Sequence, residues 1–265
     1  MSPAGRSIPF VKASACGNDF LLIDAAVAPD DIAAFTRRIC DRHDGVGADG
    51  VEWIRPHFTA DAEILLINAD GTEAEISGNG TRCVAASICA QKGKERISIL
   101  TGAGMKICAL TGRKDSEYEF EIEMGVAVVE KELALRIAGR EVRGIPASMG
   151  NPHYVMFVPE FPADWQSRSA EIQRNPIFSH GVNVEWVVAE SKHDVRVLFF
   201  ERGAGETRSS GTGSCASAVA AIATGRAESA VRVHAPGGVQ TVRKNGNNIF
   251  LRGPARIVCQ GEYFL

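Results

Sequence analysis

The sequence has little of what marks nucleic-acid-binding, membrane-spanning or exported proteins. Its formal net charge is −3 and basic residues form no run, so it has no electrostatic footprint for nucleic acid. No apolar run approaches the roughly 18 residues that a membrane-spanning helix needs. Residues 1–9 hold no apolar stretch of signal-peptide length. The sequence therefore predicts a cytoplasmic protein whose seven cysteines are reduced, with no nucleic-acid or membrane partner.

The common signatures of metal, nucleotide and hydrolase sites are also missing. The cysteines form no C-x-x-C pair, the histidines form no H-E-x-x-H, and no Walker A motif occurs. Residues 45–50 match G-x-G-x-x-G, but a predicted helix precedes them and a predicted strand follows. A dinucleotide site needs the reverse order, so we interpret this segment as a tight glycine turn. Ser77 and Ser210 lack the glycine two positions earlier that a hydrolase elbow has. The sequence predicts neither a metal nor a cofactor.

A glycine loop between a predicted strand and a predicted helix occurs twice. Residues 77–80 read Ser-Gly-Asn-Gly and residues 210–213 read Ser-Gly-Thr-Gly, and each loop opens a helix rich in small residues. Backbone N–H groups at a helix N-terminus favour a carboxylate, a phosphate or a developing anion. The loops lie 133 positions apart (210 − 77), about half of the 265 residues. This spacing predicts two homologous halves, each with an anion site, related by a pseudo-twofold axis.

The predicted elements repeat in the same order in the two halves. In the first half we expect strands at 8–15, 20–24, 51–54, 62–68, 97–101, 105–111 and 118–124, with helices from Asp30 or Asp31 to Cys40 and from the first loop to Gly93. In the second half we expect strands at 142–145, 153–158, 182–189 and 195–200, a helix at 163–174, and short strands at 230–234, 240–243, 249–251 and 255–264. This predicts an α/β fold with mixed sheets in two domains. They are residues 1–125, completed by a strand from 256–265, and residues 126–255.

Two helix N-termini that face one cleft could bind a dicarboxylate, a nucleotide or the two sides of one reacting centre. Because the sequence lacks the usual phosphate-binding motifs, the hypothesis of a nucleotide ligand is weakened. Inversion of a carbon next to a carboxylate needs one base on one face and one acid on the other, which a pseudo-twofold axis supplies. The helix N-termini would then bind the substrate carboxylate and stabilise the charge that develops when the proton leaves.

Several segments, in unchanged order across both halves, resemble the diaminopimelate epimerase family. They are Gly17-Asn-Asp-Phe20, Asp41-Arg-His-Asp-Gly-Val-Gly-Ala-Asp49, Asn68-Ala-Asp-Gly-Thr-Glu73, Ser77-Gly-Asn-Gly-Thr-Arg-Cys83, Met149-Gly-Asn-Pro-His153, Asn183-Val-Glu185 and Glu201-Arg-Gly-Ala-Gly-Glu206. The resemblance implies two similar domains, each a barrel-like sheet around a central helix, with the site in the cleft between them. It also implies cofactor-independent interconversion of LL- and meso-diaminopimelate in lysine and peptidoglycan precursor synthesis, and it leaves a homodimer open.

The resemblance also assigns roles at the matching positions. The residues implied to bind the substrate's amino-acid groups are Asn18, Asn68, Asn151 and Asn183, with backbone donors from Gly78, Asn79, Gly211 and Thr212. Arg202 would pair with a carboxylate through its bidentate fork. Glu201 would take the ammonium group or support a base, and His153 and Glu201 would lie beside the two bases. Each asparagine taken singly is a common turn residue, and His153 taken singly is a common core residue.

The chain departs from the family at the two positions that matter most. The family has a cysteine as acid or base where this chain has Ser77 and where it has Ser210, while Cys83 and Cys215 come later, inside the helices. An alcohol is several pKa units harder to ionise than a thiol, and three units correspond to about 4 kcal/mol, or about 10³ in rate.

Several explanations of the serine pair stay open. A deliberately introduced pair of serines would leave a silent enzyme that still binds substrate. A natural branch would use alcohols on easier chemistry, or His153 and Glu201 as acid and base. The chain could instead be a related isomerase with a carboxylate base, or an amino-acid binder without activity.

Overall fold

The computed structural model describes residues 6–137 and 139–265, and the chain divides into two compact units. The first unit comprises Met1–Ile122 and Gly253–Leu265, and the second comprises Glu123–Arg252. The division falls within two strands, so each of those strands contributes residues to both units.

The first unit holds two helices and a 3₁₀ turn, Ala25–Val27, among its strands. Its elements in chain order are β1 (Ser7–Ala15), β2 (Asn18–Asp24), α1 (Ile32–Cys40), β3 (Gly50–Arg55), β4 (Ala62–Asn68), β5 (Glu73–Ala74), α2 (Gly78–Lys92), β6 (Arg96–Thr101), β7 (Gly104–Lys114) and β8 (Glu117–Val126). The remaining elements, most of them in the second unit, are β9 (Val128–Val129), β10 (Leu133–Ile137), β11 (Arg140–Ser148), β12 (Pro152–Phe157), α3 (Trp165–Gln173), β13 (Asn183–Ala189), β14 (Asp194–Glu201), β15 (Gly205–Thr207), α4 (Gly211–Ala223), β16 (Val231–Ala235), β17 (Gly238–Asn245) and β18 (Asn248–Phe264).

The strands of the two units pair in the same pattern. In the first unit, β1–β2 is antiparallel, β2–β3 parallel, β3–β4 antiparallel, β4–β6 parallel, and β6–β7 and β7–β8 antiparallel. The last strand, β18, pairs with both β1 and β8, which closes this sheet. In the second unit, β11, β12, β13, β14, β16, β17 and β18 repeat the pattern. The α/β fold with two repeated, barrel-like mixed sheets is therefore confirmed.

Each unit has one helix that is buried on nearly all sides. In α2 and α4 most residues are buried, because alanine, serine and glycine let strands approach from every side. The helix α2 packs on β1, β2 and β6, and α4 packs on β11 to β14, β16 and β17. Among the described residues, no helix is long and apolar enough to cross a membrane.

Local signals fix where these helices begin and end. The Asp31 side chain accepts a hydrogen bond of 2.8 Å from the backbone N–H of Ala34 and caps α1, as the sequence predicted. Gly93 ends α2 with φ +66°, a left-handed conformation that glycine adopts without steric cost. The glycine segment 45–50 is a turn between α1 and β3, so its interpretation as a turn rather than a nucleotide loop is correct.

The sequence analysis was wrong about the C-terminus and missed four strands. Residues 249–251 and 255–264 form one strand of 17 residues, β18, rather than short separate strands. Gly253 and Pro254 lie between the two predicted segments, and there the Pro254 carbonyl accepts a 3.1 Å hydrogen bond from Arg82 Nε while the strand continues. The missed strands β5, β9, β10 and β15 have two to five residues, too few to show an alternating pattern.

Candidate functional site

Ser77 begins α2 as its N-cap. Its Oγ accepts a 3.1 Å hydrogen bond from the backbone N–H of Gly80, and the side chain is partly exposed. The first N–H groups of a helix have no partner within the helix, and the helix dipole places positive charge there. A hydroxyl at this position can therefore lose a proton more easily than it would in a strand, and an anionic ligand would be stabilised beside it.

Ser210 occupies the same place on α4 and has a carboxylate partner. Its Oγ accepts a 3.2 Å hydrogen bond from the Gly213 N–H and donates a 2.9 Å hydrogen bond to Glu201 Oε2. Thr207 Oγ1 donates to the other carboxylate oxygen at 2.6 Å. The geometry thus joins two predicted catalytic residues, Ser210 and Glu201, into a hydroxyl–carboxylate dyad.

His153 lies in a buried chain of polar side chains. Its Nδ1 is 2.7 Å from Glu185 Oε1 and its Nε2 is 3.0 Å from Asn151 Oδ1. Asn151 Nδ2 donates to Thr212 Oγ1 at 3.3 Å, which links the chain to the first turn of α4. Burial raises the pKa of the Glu185 carboxyl, and the charge and hydrogen bond of His153 oppose that rise. His153 therefore holds Asn151 in place, and the structure shows no hydrogen bond between it and Glu201 or Ser210.

The predicted ligands of the first unit are held by a second network. Asn79 Nδ2 donates to Asn18 Oδ1 at 2.6 Å, and Asn18 Nδ2 donates to Asp49 Oδ2 at 3.1 Å. Arg82, fully buried on α2, donates through Nη2 to Asn79 Oδ1. Arg42 pairs with both Asp49 and Asp19, and its hydrogen bonds help to hold the pKa of Asp19 below its usual value against the opposing effect of burial. Asn18 and Asn79 are thus brought together and oriented.

The other predicted binding residues lie at strand ends. Asn68 ends β4 and donates to Thr72 Oγ1 at 3.0 Å. Asn183 begins β13, donates to the Pro152 carbonyl at 3.1 Å and accepts from the Arg202 backbone N–H at 2.9 Å. The Arg202 side chain is exposed and donates through Nη1 to the His180 carbonyl at 2.6 Å. No ion pair involving it occurs among the described residues, so its charge is available to a ligand.

Two buried glutamates were not among the predicted site residues. Glu52 on β3 and Glu185 on β13 are both fully buried, and a β-carbon on Gly80 or Gly213 would meet their respective carboxylates. Each glutamate therefore lies against the third residue of the helix that its serine begins. A signal was present in the sequence: Val51-Glu52 and Val184-Glu185 are separated by the same 133 positions as the two serines.

The cysteines Cys83 and Cys215 of these helices are not placed to act as acid–base groups. Cys83 and Cys215 are fully buried inside α2 and α4, and burial raises the pKa of the Cys83 thiol. Across residues 6–137 and 139–265, no group of three or more histidine, cysteine, aspartate or glutamate side chains could hold a metal ion. Each unit has a serine hydroxyl that caps the N-terminus of a buried helix. Side-chain amides and one arginine are available to orient a polar ligand.

Comparison with known proteins identifies a family to which the chain is similar over most of its length. The family model described as diaminopimelate epimerase matches residues 10–130 and 146–258. A diaminopimelate epimerase of Desulfitobacterium hafniense is 34% identical over 95% of this chain and 96% of its own length. One of Rhizorhabdus wittichii is 36% identical over 96% of this chain and 95% of its own length.

Solved structures share the fold at low sequence identity. A probable proline racemase of Agrobacterium radiobacter superposes with a TM-score of 0.73 at 14% identity and covers 97% of this chain and 93% of its own. A PhzF-family phenazine biosynthesis protein of Bacillus anthracis gives 0.72 at 17% identity and covers 98% and 100%. These similarities bear on the fold alone. On the family match and the relatives, the chain belongs to the diaminopimelate epimerase family, a family of isomerases.

Proposed function

We propose that this protein is a cofactor-independent amino-acid epimerase that interconverts LL- and meso-diaminopimelate in the cytoplasm, with Ser77 and Ser210 as its two acid–base groups. The names of its relatives support the substrate. The observation that carries the proposal is that the same device occurs in both units: a serine hydroxyl that caps a buried helix and accepts the N–H of the third residue, Gly80 or Gly213.

The chemistry needs one proton removed and one delivered. A serine alkoxide takes the α-proton, the electron pair of the C–H bond moves towards the substrate carboxylate, and the other serine donates its hydroxyl proton to the opposite face. Helix N-termini stabilise both the alkoxide and the charge on the carboxylate. The Ser210–Glu201 hydrogen bond supplies a base that can take the hydroxyl proton of Ser210. Because alcohols ionise poorly, we expect a slow enzyme relative to one with thiols at both positions.

The proposal is tested by nuclear magnetic resonance in deuterated water, following the α-carbon of LL- and meso-diaminopimelate with the unmodified protein. We expect exchange of the α-proton together with inversion, and no effect of a chelator. Binding heat without any exchange would make the protein a silent amino-acid binder. The absence of both heat and exchange would refute the substrate.

Arg202 should hold a substrate carboxylate. Its exposed guanidinium has no ion pair to lose, so Arg202→Ala should weaken diaminopimelate binding by about 2–5 kcal/mol while leaving the fold intact. Titration calorimetry measures the change. Arg136→Ala, which removes an exposed arginine from β10, is the control and should bind as the parent does. Equal affinities for the two variants would exclude this role.

The Ser210–Glu201 contact also favours a second candidate, an isomerase in which Glu201 is itself the base. The two candidate functions differ in whether the Ser210 hydroxyl itself transfers a proton. If Glu201 is the base, Ser210→Ala keeps most of the activity and Glu201→Gln abolishes it. If the hydroxyl reacts, Ser210→Ala is as damaging as Glu201→Gln.

A further inference from the structure

The two units differ in one respect that the repeat makes visible. Glu185 of the second unit has His153 as a partner, whereas neither carboxylate oxygen of its counterpart Glu52 has a hydrogen-bond partner in the part of the chain that the structure describes. The position that corresponds to His153, 133 residues earlier, is Phe20. A fully buried carboxyl without a partner costs several kcal/mol, so a purely structural role is a poor explanation for it.

Glu52 lies directly behind the N-terminus of α2. A β-carbon on Gly80 would overlap Glu52 Oε1 and would also lie 3.3 Å from Ser77 Cβ. The N–H of the same glycine binds Ser77 Oγ. The carboxyl and the hydroxyl therefore flank one residue, and the absence of a side chain at Gly80 lets the Glu52 carboxyl approach the start of α2.

The surroundings of Glu52 keep its proton on at neutral pH. Its in-register neighbours are Leu22 on β2 and Leu66 on β4, both apolar. The ionisable group on α2 that feels its charge is the Cys83 thiol, and no cationic side chain offsets burial. Burial raises the pKa of the Glu52 carboxyl to about 8. An acid with such a pKa can both give and take a proton near the working pH of most enzymes.

In the second unit the serine has a carboxylate partner, and the corresponding position of the first unit does not supply one. Ser210 has Glu201 as a hydrogen-bonded carboxylate, but the position that corresponds to Glu201 in the first unit is Asn68, whose amide cannot take a proton. Ser77 accepts the Gly80 N–H but has no carboxylate within hydrogen-bond distance among the described residues. Glu52 on β3 is a buried acid that lies against Gly80, whose N–H binds Ser77 Oγ.

We propose that Glu52 exchanges protons with Ser77 and so serves as the proton donor and acceptor for the Ser77 hydroxyl in the first unit. This inference rests on the proposed function. When Ser77 donates its hydroxyl proton to the carbon, the protonated Glu52 carboxyl gives its own proton to the serine oxygen. The Ser77 and Glu52 O–H bonds break, a C–H bond and a new serine O–H bond form, and the negative charge of the carbanion passes to the Glu52 carboxylate. In the opposite direction the Glu52 carboxylate takes the hydroxyl proton of Ser77 as the serine oxygen removes the α-proton, and the electron pair of the C–H bond stays on the substrate. Glu52 does not touch the substrate and is a positioning residue that acts through Ser77.

The coupling can be measured without substrate. Ser77→Cys, made on a Cys259→Ser background to remove the exposed native thiol, places a group at position 77 whose ionisation is read by the pH dependence of alkylation. With Glu52 present we expect a broad, two-step titration, because two neighbouring acids titrate as a pair. Adding Glu52→Gln should give a single step and raise the rate of alkylation several-fold at about pH 9, where the Glu52 carboxyl of the parent is ionised and opposes the thiolate. The control Glu63→Gln, on β4, should change neither.

Identical titrations with and without Glu52→Gln would overturn the proposal. If Glu52→Gln does not fold, infrared spectroscopy of the protonated carboxyl decides: its titration midpoint should rise when Ser77→Cys places a thiolate nearby, and a fixed midpoint refutes the coupling. In the serine protein, Glu52→Gln should abolish α-proton exchange starting from one stereoisomer and spare exchange from the other. An equal loss of α-proton exchange from both stereoisomers would contradict the proposed role of Glu52. A parent without any exchange refutes the proposed function alone, since the thiol titration still tests Glu52.

Discussion

Replacing Ser77 and Ser210 together by cysteine is expected to raise α-proton exchange of diaminopimelate by about 10³ or more, because a thiol at a capped helix N-terminus ionises several pKa units below an alcohol. Either single replacement should raise exchange with retention but should restore little inversion. One thiolate removes a proton and returns it to the same face, whereas inversion also needs a competent donor on the other face. Exchange and inversion are measured together by magnetic resonance and circular dichroism of the product.

A matched control separates the effect of position from that of adding a thiol. Ser217 lies on α4 but away from its N-terminus, and its buried hydroxyl has no hydrogen-bond partner. Ser217→Cys should therefore leave the rate unchanged. A double variant as slow as the parent, with binding intact, would show that the site was built for a different reaction, and the carboxylate-base isomerase would become the better description.

Glu52→Gln should make the protein more stable at alkaline pH while changing little near pH 4. The unfolded chain loses the Glu52 proton near the ordinary value of 4.5, and the folded chain keeps it up to about 8. Between these values the folded state binds more protons, so the parent loses stability as pH rises. A gap of this size corresponds to about 5 kcal/mol as an upper figure, which the glutamine variant does not lose.

Urea unfolding at several pH values measures this difference between the variant and the parent. Glu63→Gln on β4 is the control, and it should follow the parent curve. Parallel curves for parent and Glu52→Gln from about pH 4 to about pH 9 would mean that the Glu52 carboxyl is not held protonated by burial. The serine and glutamate predictions are independent, because stability needs no substrate.

Much of the fold follows from local patterns and from the repeat. The strand, glycine loop and small-residue helix around Ser77 and around Ser210 can be predicted from the sequence alone, because capping and turn residues act over a few positions. The burial of Glu52 could not be predicted in this way, because a glutamate in a short strand is typical of a solvent-exposed position. Its burial depends on its side chain lying against Gly80 at the start of α2, and only an alignment of the two halves would have singled it out.

Partnerships between side chains far apart in sequence were also beyond the sequence. His153 was predicted beside a base, but its hydrogen bonds to Glu185 and Asn151, through which it orients a predicted ligand, could not be predicted. Arg82 appeared only as one letter of a motif, although it fixes Asn79 from inside α2. Such contacts depend on the register of strands that are distant in the chain, which residue spacing does not determine.

The path of β18 has a consequence for how the chain is made. The first unit takes its final strand from Gly253–Leu265, which pairs with β1 and gives Arg82 the Pro254 carbonyl. A ribosome synthesises those residues after the second unit, so the first unit stays open at the edge of β1 while the second is being produced. Unpaired strand edges invite association with other chains. The first unit is thus finished after the second, and a nascent chain stalled before residue 253 would expose an edge of β1 that β18 covers in the folded chain.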